Sequence, residues 1–471
     1  MVFSSLVFVC IFLPVVLILH SVIRNRKVQN GLLLAASLLF YAYGEPVYIL
    51  LMLCSALLNY LFALWLGKHR SKLVLALAVI VNLGLLGVFK YTGFIMTNIN
   101  AGFGLSLPVP QISLPIGISF FTFQALSYVI DVYRTDVAVQ KSYAKVLLYV
   151  SFFPQLIAGP IVRYKDVALE IDNRTVNTRQ IAFGLRRFIV GLGKKVLISN
   201  AMGAAADYVF NHGAANINII AAWIGAIAYL MQIYYDFSGY SDMAIGLGKT
   251  FGFHFKENFN HPYIADTVQE FWRRWHISRS SFFRDYVYIP LGGNRKGKLR
   301  TVLNRIIVFF LTGLWHGANW TFVIWGLFHG FLLLLEAFVP LIKKLPKLLR
   351  HVYTMLCVTV AFVVFRADTM QEAIAFIAKM FTGFDFTAIP MSFAIQALTP
   401  YFICMLLVGV LCCGPFGKLS KRVSDLESKQ NLTTAEHVVQ GMSFVLAVVL
   451  FAWCIIRLAG GSYNPFIYFR F

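Results

Sequence analysis

The sequence predicts an all-α protein that crosses a membrane many times. Of its 471 residues, 59% are hydrophobic and only 13% are charged, whereas a soluble globular protein has about 25% charged residues. Apolar runs recur from one end of the chain to the other with no long polar domain between them, and a spanning helix needs about 20 such residues. These observations exclude a soluble globular protein and an intrinsically disordered one.

The excess of basic residues fits the same class. The chain has 41 lysines and arginines against 20 aspartates and glutamates, which gives a net charge of +21. Basic residues concentrate in the cytoplasmic loops of membrane proteins because positive segments resist translocation. We therefore predict an environment of membrane lipid and no nucleic-acid partner.

Ten apolar runs are candidates for spanning segments. The run 29–67 is too long for one crossing and contains Gly44-Glu45-Pro46, so it predicts a helical hairpin with that turn outside. The stretches on either side of it, 24–27 and 68–72, are basic and therefore predicted to be cytoplasmic, which places the N-terminus outside. The runs are 3–23, 29–67, 73–91, 114–133, 183–210, 214–235, 303–331, 350–366, 396–413 and 439–460, all approximate.

Two segments between these runs have a different character. Residues 142–160 are short, basic at both ends and interrupted by Pro154 and Gly159-Pro160, so they predict either a re-entrant segment or a short kinked helix. A re-entrant backbone needs protein or a water-filled cavity to satisfy its hydrogen bonds. Residues 92–113 are rich in asparagine, glycine and proline, and we expect an external loop there.

His316 is the strongest candidate for a catalytic residue. It lies within an apolar run, and a helix from Arg305 would raise it about 16 Å, roughly half of a hydrocarbon core about 30 Å thick. An ionisable group at that depth usually faces a cavity and marks a substrate or proton path. The alternative is a structural histidine bonded to a neighbouring helix. Gly313 and Gly317 favour the first interpretation, since small residues let another backbone or a ligand approach. His329, later in the same run, is predicted to be a packing or interfacial residue.

The segment from Asp266 to Arg295 mixes aromatic residues with arginines. That composition is typical of the headgroup region of a membrane, but it does not account for His276 or for the turn at 290–295. Asp266 and Gln269 resemble a helix N-cap pair. The cations of this region could form a rim where an acidic, phosphate-bearing molecule docks; they are Arg273, Arg274, Arg279, Arg284, Arg295, Lys296, Lys298 and Arg300.

Other polar residues favour structural roles. Asp236 and Asp242 lie in a polar island at the end of an apolar run, where such acids either orient a catalytic histidine or, more often, pair with nearby arginines. All seven cysteines lie in apolar runs, which argues against a disulfide framework. No His, Cys or carboxylate cluster has the spacing of metal ligands, so no metal site is expected.

Several motifs resemble those of a known family. The motifs, in chain order, are Met1-Val2-Phe3-Ser4-Ser5, Leu114-Pro115-Ile116-Gly117-Ile118-Ser119-Phe120, Phe152-Phe153-Pro154-Gln155-Leu156-Ile157-Ala158-Gly159-Pro160, Asp236-Phe237-Ser238-Gly239-Tyr240-Ser241-Asp242, Phe271-Trp272-Arg273-Arg274-Trp275-His276-Ile277-Ser278, Tyr288-Ile289-Pro290-Leu291-Gly292-Gly293-Asn294-Arg295 and Trp315-His316-Gly317. Together they are similar to the membrane-bound O-acyltransferase family and, within it, to the bacterial alginate O-acetyltransferase-like branch. One departure is Arg279, at a position where leucine is expected in many relatives.

The resemblance implies a fold and a set of site residues. The fold is one integral membrane domain over residues 1–471, with its core motifs at about 114–331. It is a ring of about 10–12 transmembrane helices with re-entrant segments and a central funnel or tunnel. The family's invariant histidine corresponds to His316 and its second polar site to His276, so both are expected to be catalytic. The residues expected to bind the donor are Arg273, Arg274, Arg295, Trp315 and Asn319.

The resemblance also implies an activity. Acetyl-CoA, as a cytosolic thioester substrate and not a bound cofactor, would supply an acetyl group across the bacterial cytoplasmic (inner) membrane. The group would O-acetylate an extracytoplasmic polysaccharide such as alginate, peptidoglycan or another exopolysaccharide, with a periplasmic serine-esterase-like partner completing the transfer. Because a hydroxyl is a poor nucleophile until a base removes its proton, His316 is expected to be that base and His276 to position the donor. The alternatives are D-alanyl transfer to teichoic acid from a carrier protein, and a transporter without chemistry.

Overall fold

In a computed structural model, the chain folds almost entirely into helices. The structure describes residues 1–414, 416–417, 423, 426–427, 429, 432–461 and 463–467. No β-strand occurs in these ranges, which confirms the all-α prediction. The chain forms two compact units, one of Met1–Phe188 with Met243–Lys256 and one of Ile189–Asp242 with Glu257–Phe471.

The described helices include enough long apolar ones to cross a membrane repeatedly. Six pass on length and composition, and a seventh span arises if the pair Ala388–Ala397 and Pro400–Cys413, bent by 60°, forms one crossing. The chain is therefore a multi-pass membrane protein, while the ring of helices around a funnel stays a prediction. The six helices are Ile49–Lys68, Lys72–Phe103, Ile219–Thr250, Trp320–Phe338, Lys347–Arg366 and Thr434–Ala459.

The first unit contains the predicted helical hairpin. Residues 43–48 form the break, around Gly44-Glu45-Pro46, which confirms the two helices predicted for 29–67, while the position of the turn outside the membrane stays a prediction. Buried Asn59 and Asn82 exchange side-chain hydrogen bonds of 3.0 and 2.8 Å between the second helix of this hairpin and the helix after it. The helices are α1 (Leu13–Val22), α2 (Arg26–Ala42), α3 (Ile49–Lys68), α4 (Lys72–Phe103), α5 (Ile118–Arg134), α6 (Tyr143–Ser151), α7 (Phe153–Leu156) and α8 (Tyr164–Asn173).

The external loop predicted at 92–113 is wrong over its first half, because α4 continues to Phe103. The Asn98 side chain donates a hydrogen bond of 2.7 Å to the carbonyl of Phe94, one turn earlier, so its amide is satisfied within the helix. The helix ends at Gly104, whose φ of 65° is left-handed. Glycine adopts this conformation without a steric cost, which makes it a common helix terminator.

The interruption predicted within 142–160 is confirmed. The helix breaks at Phe152, between α6 and α7, and residues 157–163 are not helical. Every residue from 151 to 160 is buried, and the Ser37 hydroxyl accepts a hydrogen bond of 3.1 Å from the backbone N–H of Phe153. A side chain of α2 thus satisfies part of this irregular backbone, as an apolar environment requires.

Two helices, α9 (Thr178–Gly193) and α12 (Ile219–Thr250), run from one unit into the other. The second unit has further helices, and two of them cover the stretch 303–331, which the sequence suggested as one apolar run. The further helices are α10 (Asn200–Asn211), α11 (Gly213–Asn216), α13 (Val268–Arg274), α14 (Ile277–Phe283), α15 (Lys298–His316), α16 (Trp320–Phe338), α17 (Pro340–Lys344), α18 (Lys347–Arg366), α19 (Met370–Thr382), α20 (Ala388–Ala397), α21 (Pro400–Cys413) and α22 (Thr434–Ala459).

The run 303–331 is two helices, α15 and α16, packed against each other. Extended backbone at Gly317 ends the first, and the Asn319 side chain begins the second by accepting a hydrogen bond of 3.2 Å from the N–H of Thr321. Glycines let the two backbones approach closely: a Cβ on Gly326 would lie 3.0 Å from the Cα of Gly313. His316 is therefore the last residue of a helix and not the middle of one.

Two neighbouring lysines account for the acids of the polar island. Lys195 forms a buried ion pair of 2.7 Å with Asp236, and Lys194 pairs with Asp242 at 2.6 Å. The expectation of a structural role is confirmed, with lysine in place of arginine. Asp236 also accepts a hydrogen bond of 2.8 Å from the backbone N–H of Ile467, so this pair fixes the described end of the chain within the second unit.

Candidate active site

The helix α13 positions the segment that carries His276. Its N-cap is Thr267, whose hydroxyl accepts a hydrogen bond of 3.1 Å from the N–H of Glu270. The predicted cap, Asp266 with Gln269, is wrong because the Asp266 carboxylate pairs with Arg350 at 2.5 Å. The buried carboxylate of Glu336, on α16, accepts from the N–H groups of Val268 and Gln269 at 2.6 and 3.0 Å. These bonds satisfy donors that a helix N-terminus leaves open.

His276 lies at the junction of α13 and α14 in a left-handed conformation, with φ 47° and ψ 56°. A non-glycine residue there is unusual and persists when its surroundings hold it. Asn258 does so: its side-chain oxygen lies 3.1 Å from His276 Nδ1 and accepts from both the N–H and the hydroxyl of Ser278, at 3.2 and 2.8 Å. The Asn258 amide in turn donates to the Ser241 hydroxyl at 3.0 Å.

These bonds assign the proton on the His276 ring. Because the Asn258 atom that faces the ring accepts from a backbone N–H, it is an oxygen, so His276 Nδ1 is the donor. The lone pair is then on Nε2, which is buried and has no hydrogen-bond partner among the described residues. Burial holds the pKa of His276 well below its usual 6.5, and the nearby Arg279 and His316 lower it further. A neutral imidazole with one open acceptor is the result.

The rings of His316 and His276 both lie beside one indole. The Trp315 ring centroid is 4.8 Å from that of His316 and 5.7 Å from that of His276. His316 is 7% exposed and His276 is 0% exposed. Trp325 and Phe365 complete the surroundings of His316, each with its ring centroid 5.0 Å away. The structure thus brings together the two histidines that the sequence singled out.

Arg279 is part of this cluster and not of the surface rim. Its Nη1 donates to His316 Nε2 at 3.3 Å, and its guanidinium lies 4.8 Å above the Trp272 ring. The residue is only 2% exposed, so the prediction that placed it in a cationic rim is wrong. The sequence pattern grouped Arg279 with neighbouring arginines such as Arg273 and Arg284, and those two are exposed.

A narrow cavity opens beside His316. The space that the centre of a water molecule can occupy there is about 10 Å³, which is room for about one water. Its lining is largely aromatic and includes the described end of the chain; the residues are Ile233, Phe237, Trp275, His316, Trp325, Phe362, Phe365 and Ile467. His316 is the only one of them with an ionisable side chain.

The residues predicted to bind the donor occupy different environments. Trp315 is buried, and its ring lies beside both histidines. Arg274 bonds Glu270 at 2.7 Å, whereas the side chain of Arg273 is 68% exposed and Arg295 is exposed as well. Asn319 caps α16 and donates to the carbonyl of Asp368 at 2.8 Å. The structure gives Asn319 and Arg274 structural contacts, and donor binding by all five stays a prediction.

Three residues near the two histidines were not predicted from the sequence to belong to this site. Asn258 lies in a polar loop without regular structure, and nothing in its surroundings in the sequence marks it as a partner of His276. Trp272 and His329 are joined by a hydrogen bond of 3.3 Å from Trp272 Nε1 to His329 Nδ1. The one signal that could have pointed to Arg279 is its departure from the leucine that the family resemblance leads us to expect there. Within the described residues, no group of His, Cys, Asp and Glu could hold a metal ion.

The family model described as MBOAT, membrane-bound O-acyltransferase family, matches residues 47–378. The chain belongs to the membrane-bound O-acyltransferase family. As such it is an O-acyltransferase, and the enzyme class predicted from the motifs is confirmed. The matched residues include His276, His316 and Arg279.

Three relatives of this O-acyltransferase differ in what their names say they act on. A probable alginate O-acetylase AlgI from Pseudomonas putida is 39% identical, over 100% of both chains. A peptidoglycan O-acetyltransferase from Helicobacter pylori is 38% identical over 80% of this chain and 79% of its own. A teichoic acid D-alanyltransferase from Bacillus subtilis is 29% identical over 46% of this chain and 58% of its own.

Proposed function

We propose that this O-acyltransferase moves an acetyl group from a cytosolic thioester, acetyl-CoA, toward a hydroxyl of an extracytoplasmic polysaccharide. The observation that carries the proposal is that the rings of His316 and His276 both lie beside Trp315, with a narrow cavity next to His316. Two imidazoles within one aromatic cluster suit a reaction that needs a base and a second polar contact.

His316 is the general base of the proposed step. The acceptor hydroxyl gives its proton to the His316 imidazole while its oxygen forms a bond to the thioester carbonyl carbon. The carbon–sulfur bond then breaks, and the imidazolium returns the proton to the leaving thiolate, so coenzyme A leaves as the free thiol. His276 positions the donor, because its buried Nε2 can accept a hydrogen bond from a substrate N–H or O–H group.

The cavity favours an acetyl group over D-alanyl. Acetyl is uncharged, which suits a space lined by aromatic and aliphatic side chains. A D-alanyl group carries an ammonium, and none of the residues that line this cavity has a carboxylate to pair with it. The cation that contacts His316 is Arg279, which would repel the ammonium.

The acceptor and the location follow from the relatives and the charge pattern. The alginate and peptidoglycan relatives cover far more of the chain than the teichoic acid relative does, so alginate, peptidoglycan or a related exopolysaccharide is the proposed acceptor. We place the chain in the bacterial inner membrane with its N-terminus outside, since its early basic stretches are then cytoplasmic. A periplasmic serine-esterase-like protein is the proposed partner for the final transfer.

The test supplies acetyl-CoA labelled in the acetyl group to membranes that contain the enzyme and follows the label into polysaccharide. His316→Ala should abolish labelling while the purified variant keeps the thermal unfolding profile of the wild type. His254→Ala is the matched control, because His254 is exposed and pairs with Glu170 in the first unit. Full labelling by the folded His316→Ala variant would refute the role of His316. A wild-type enzyme that uses only a D-alanyl carrier thioester would refute the donor.

A further inference from the structure

His316 cannot act as a base in the arrangement that the structure shows. A guanidinium only donates hydrogen bonds, and the Arg279 Nη1 lies 3.3 Å from His316 Nε2. The Nε2 atom is therefore the acceptor, so the proton of the neutral ring is on Nδ1 and the one lone pair of the ring is occupied. The ring can take a proton from a hydroxyl only after this hydrogen bond breaks.

We propose that Arg279 is a specificity-determining residue that keeps His316 inactive toward water until the acceptor binds. The inference rests on the proposed function, since it concerns the same base and the same thioester. The reaction that Arg279 suppresses is hydrolysis of acetyl-CoA. In that reaction a water gives one proton to His316 while its oxygen bonds to the thioester carbonyl carbon. The carbon–sulfur bond then breaks and the proton passes to the thiolate, so the products are acetic acid and free coenzyme A.

The cavity beside His316 makes water a competitor of the acceptor. The space that the centre of a water molecule can occupy there is about 10 Å³, which is room for about one water. A water next to an unoccupied imidazole and a bound thioester would be activated in the same way as an acceptor hydroxyl. An active site that handles a reactive group has to prevent such side reactions.

Two further contacts hold Arg279 on His316. The Arg279 guanidinium stacks on the Trp272 ring, with 4.8 Å between the guanidinium carbon and the ring centroid, and both residues are buried. Trp272 Nε1 in turn donates to Nδ1 of His329 at 3.3 Å. His329 is fully buried on α16, which confirms the prediction of a packing residue. A single water would have to displace a guanidinium that is held by its stacking as well as by its hydrogen bond.

The acceptor supplies the binding energy that a single water lacks. With 3.3 Å between Nη1 and Nε2, no oxygen fits between the two atoms, since each of its hydrogen bonds would need about 2.7–3.2 Å. The guanidinium therefore has to move aside before any hydroxyl reaches Nε2. A polysaccharide also contacts the enzyme through sugars that do not react, and the energy of those contacts can drive the displacement. Arg279 thus makes the base selective in the manner of induced fit.

The experiment measures the release of labelled acetate from acetyl-CoA by purified enzyme in detergent, without an acceptor. Arg279→Met should raise this rate by about 10- to 100-fold, the factor that corresponds to loss of one hydrogen bond from a charged donor. Methionine has no donor and packs well against an aromatic ring, so it can occupy the space over Trp272. Arg279→Lys keeps a charged donor without the planar stack and should raise the rate less. In membranes, the ratio of released acetate to acetyl in polysaccharide should rise with Arg279→Met.

Controls connect the released acetate to the base. Arg279→Met with His316→Ala should release acetate no faster than His316→Ala alone. Arg174→Met removes another buried arginine that stacks on an aromatic ring, Phe253, in the first unit, and should not raise the release per folded molecule. Release at the wild-type rate by folded Arg279→Met, or fast release that persists without His316, would overturn the role of Arg279. Full polysaccharide labelling by His316→Ala alone would instead refute the proposed function.

Discussion

Gly313 on α15 lies directly against the carbonyl oxygen of Phe322 on α16. A Cβ added at Gly313 would collide with that oxygen and would lie 3.1 Å from the Cα of Val323. The obstacles are backbone atoms, which cannot rotate away as a flexible side chain could. Since His316 ends α15 three residues later, the distance between these two helices sets the position of the histidine ring.

Gly313→Ala should therefore destabilise the protein and lower its activity together. Overpacking of a close contact costs about 1–3 kcal/mol, and the separation of the helices displaces the ring of His316, the proposed base. Gly84→Ala is the control, because nothing lies within 4 Å of a Cβ at Gly84; it should leave stability unchanged or raise it by up to about 1 kcal/mol. The measurements are thermal unfolding in detergent and acetyl transfer. Equal unfolding temperatures and equal acetyl transfer in the two variants would contradict the close packing of α15 against α16.

The ion pair of Lys195 and Asp236 supports a second prediction. Both side chains are buried, 2.7 Å apart, and removal of one partner of such a pair costs about 3–5 kcal/mol because it leaves a charge uncompensated. Lys195→Met should lower the unfolding temperature strongly, and Lys195→Met with Asp236→Asn should recover part of the loss. The asparagine can still accept from the N–H of Ile467. No recovery in the double variant would show that charge compensation is not the cause.

Glu336 tests how α13 is held. Its carboxylate accepts from two backbone N–H groups at the start of that helix, at 2.6 and 3.0 Å. Glu336→Leu should cost about 1–3 kcal/mol for each buried donor left without an acceptor, whereas Glu336→Gln keeps one acceptor and should cost less. Because α13 leads to His276, the leucine variant should also lose acetyl transfer. Loss of stability with unchanged turnover per folded molecule would contradict this link.

The sequence was sufficient for the class of fold and for the two histidines. Composition and the recurrence of apolar runs are global properties, and they determine an all-α membrane protein whatever the packing. The hairpin at Gly44-Glu45-Pro46 was predictable because Pro and Gly end helices locally. His316 was marked by the cost of an ionisable group in an apolar run.

The extent of α4 and the partners of the two histidines could not be predicted, because they depend on which hydrogen bonds the side chains form in the folded chain, within a helix or between distant segments. Asn98 is polar enough to indicate a loop, yet a hydrogen bond to its own helix keeps it helical. Arg279 has the same chemistry as Arg273 and Arg284, and only tertiary packing places it at His316. Asn258 contacts His276 through a loop of the second unit. Periodicity and composition do not contain this information.

His276 makes folding depend on pH. In the folded protein, burial first, and then Arg279 and His316, holds the pKa of His276 well below 6.5, whereas in the unfolded chain the ring titrates at about 6.5. Above that value the ring is neutral in both states, and its contribution to stability is complete. As the pH falls below about 6.5, the unfolded state takes up the proton first, so stability is lost by at most about 1.4 kcal/mol per pH unit for this one group.

His276→Gln removes this titration and keeps a polar side chain next to Asn258. The variant should be less stable than the wild type at pH 8, and the difference in unfolding temperature should narrow as the pH falls from 7 to 5. Comparing the two proteins cancels the contribution of the other histidines. The measurement is thermal unfolding in detergent across that range. Parallel curves for His276→Gln and wild type would mean that His276 has the same pKa in the folded and the unfolded chain, so that burial does not hold the folded ring in its neutral form below about pH 6.5.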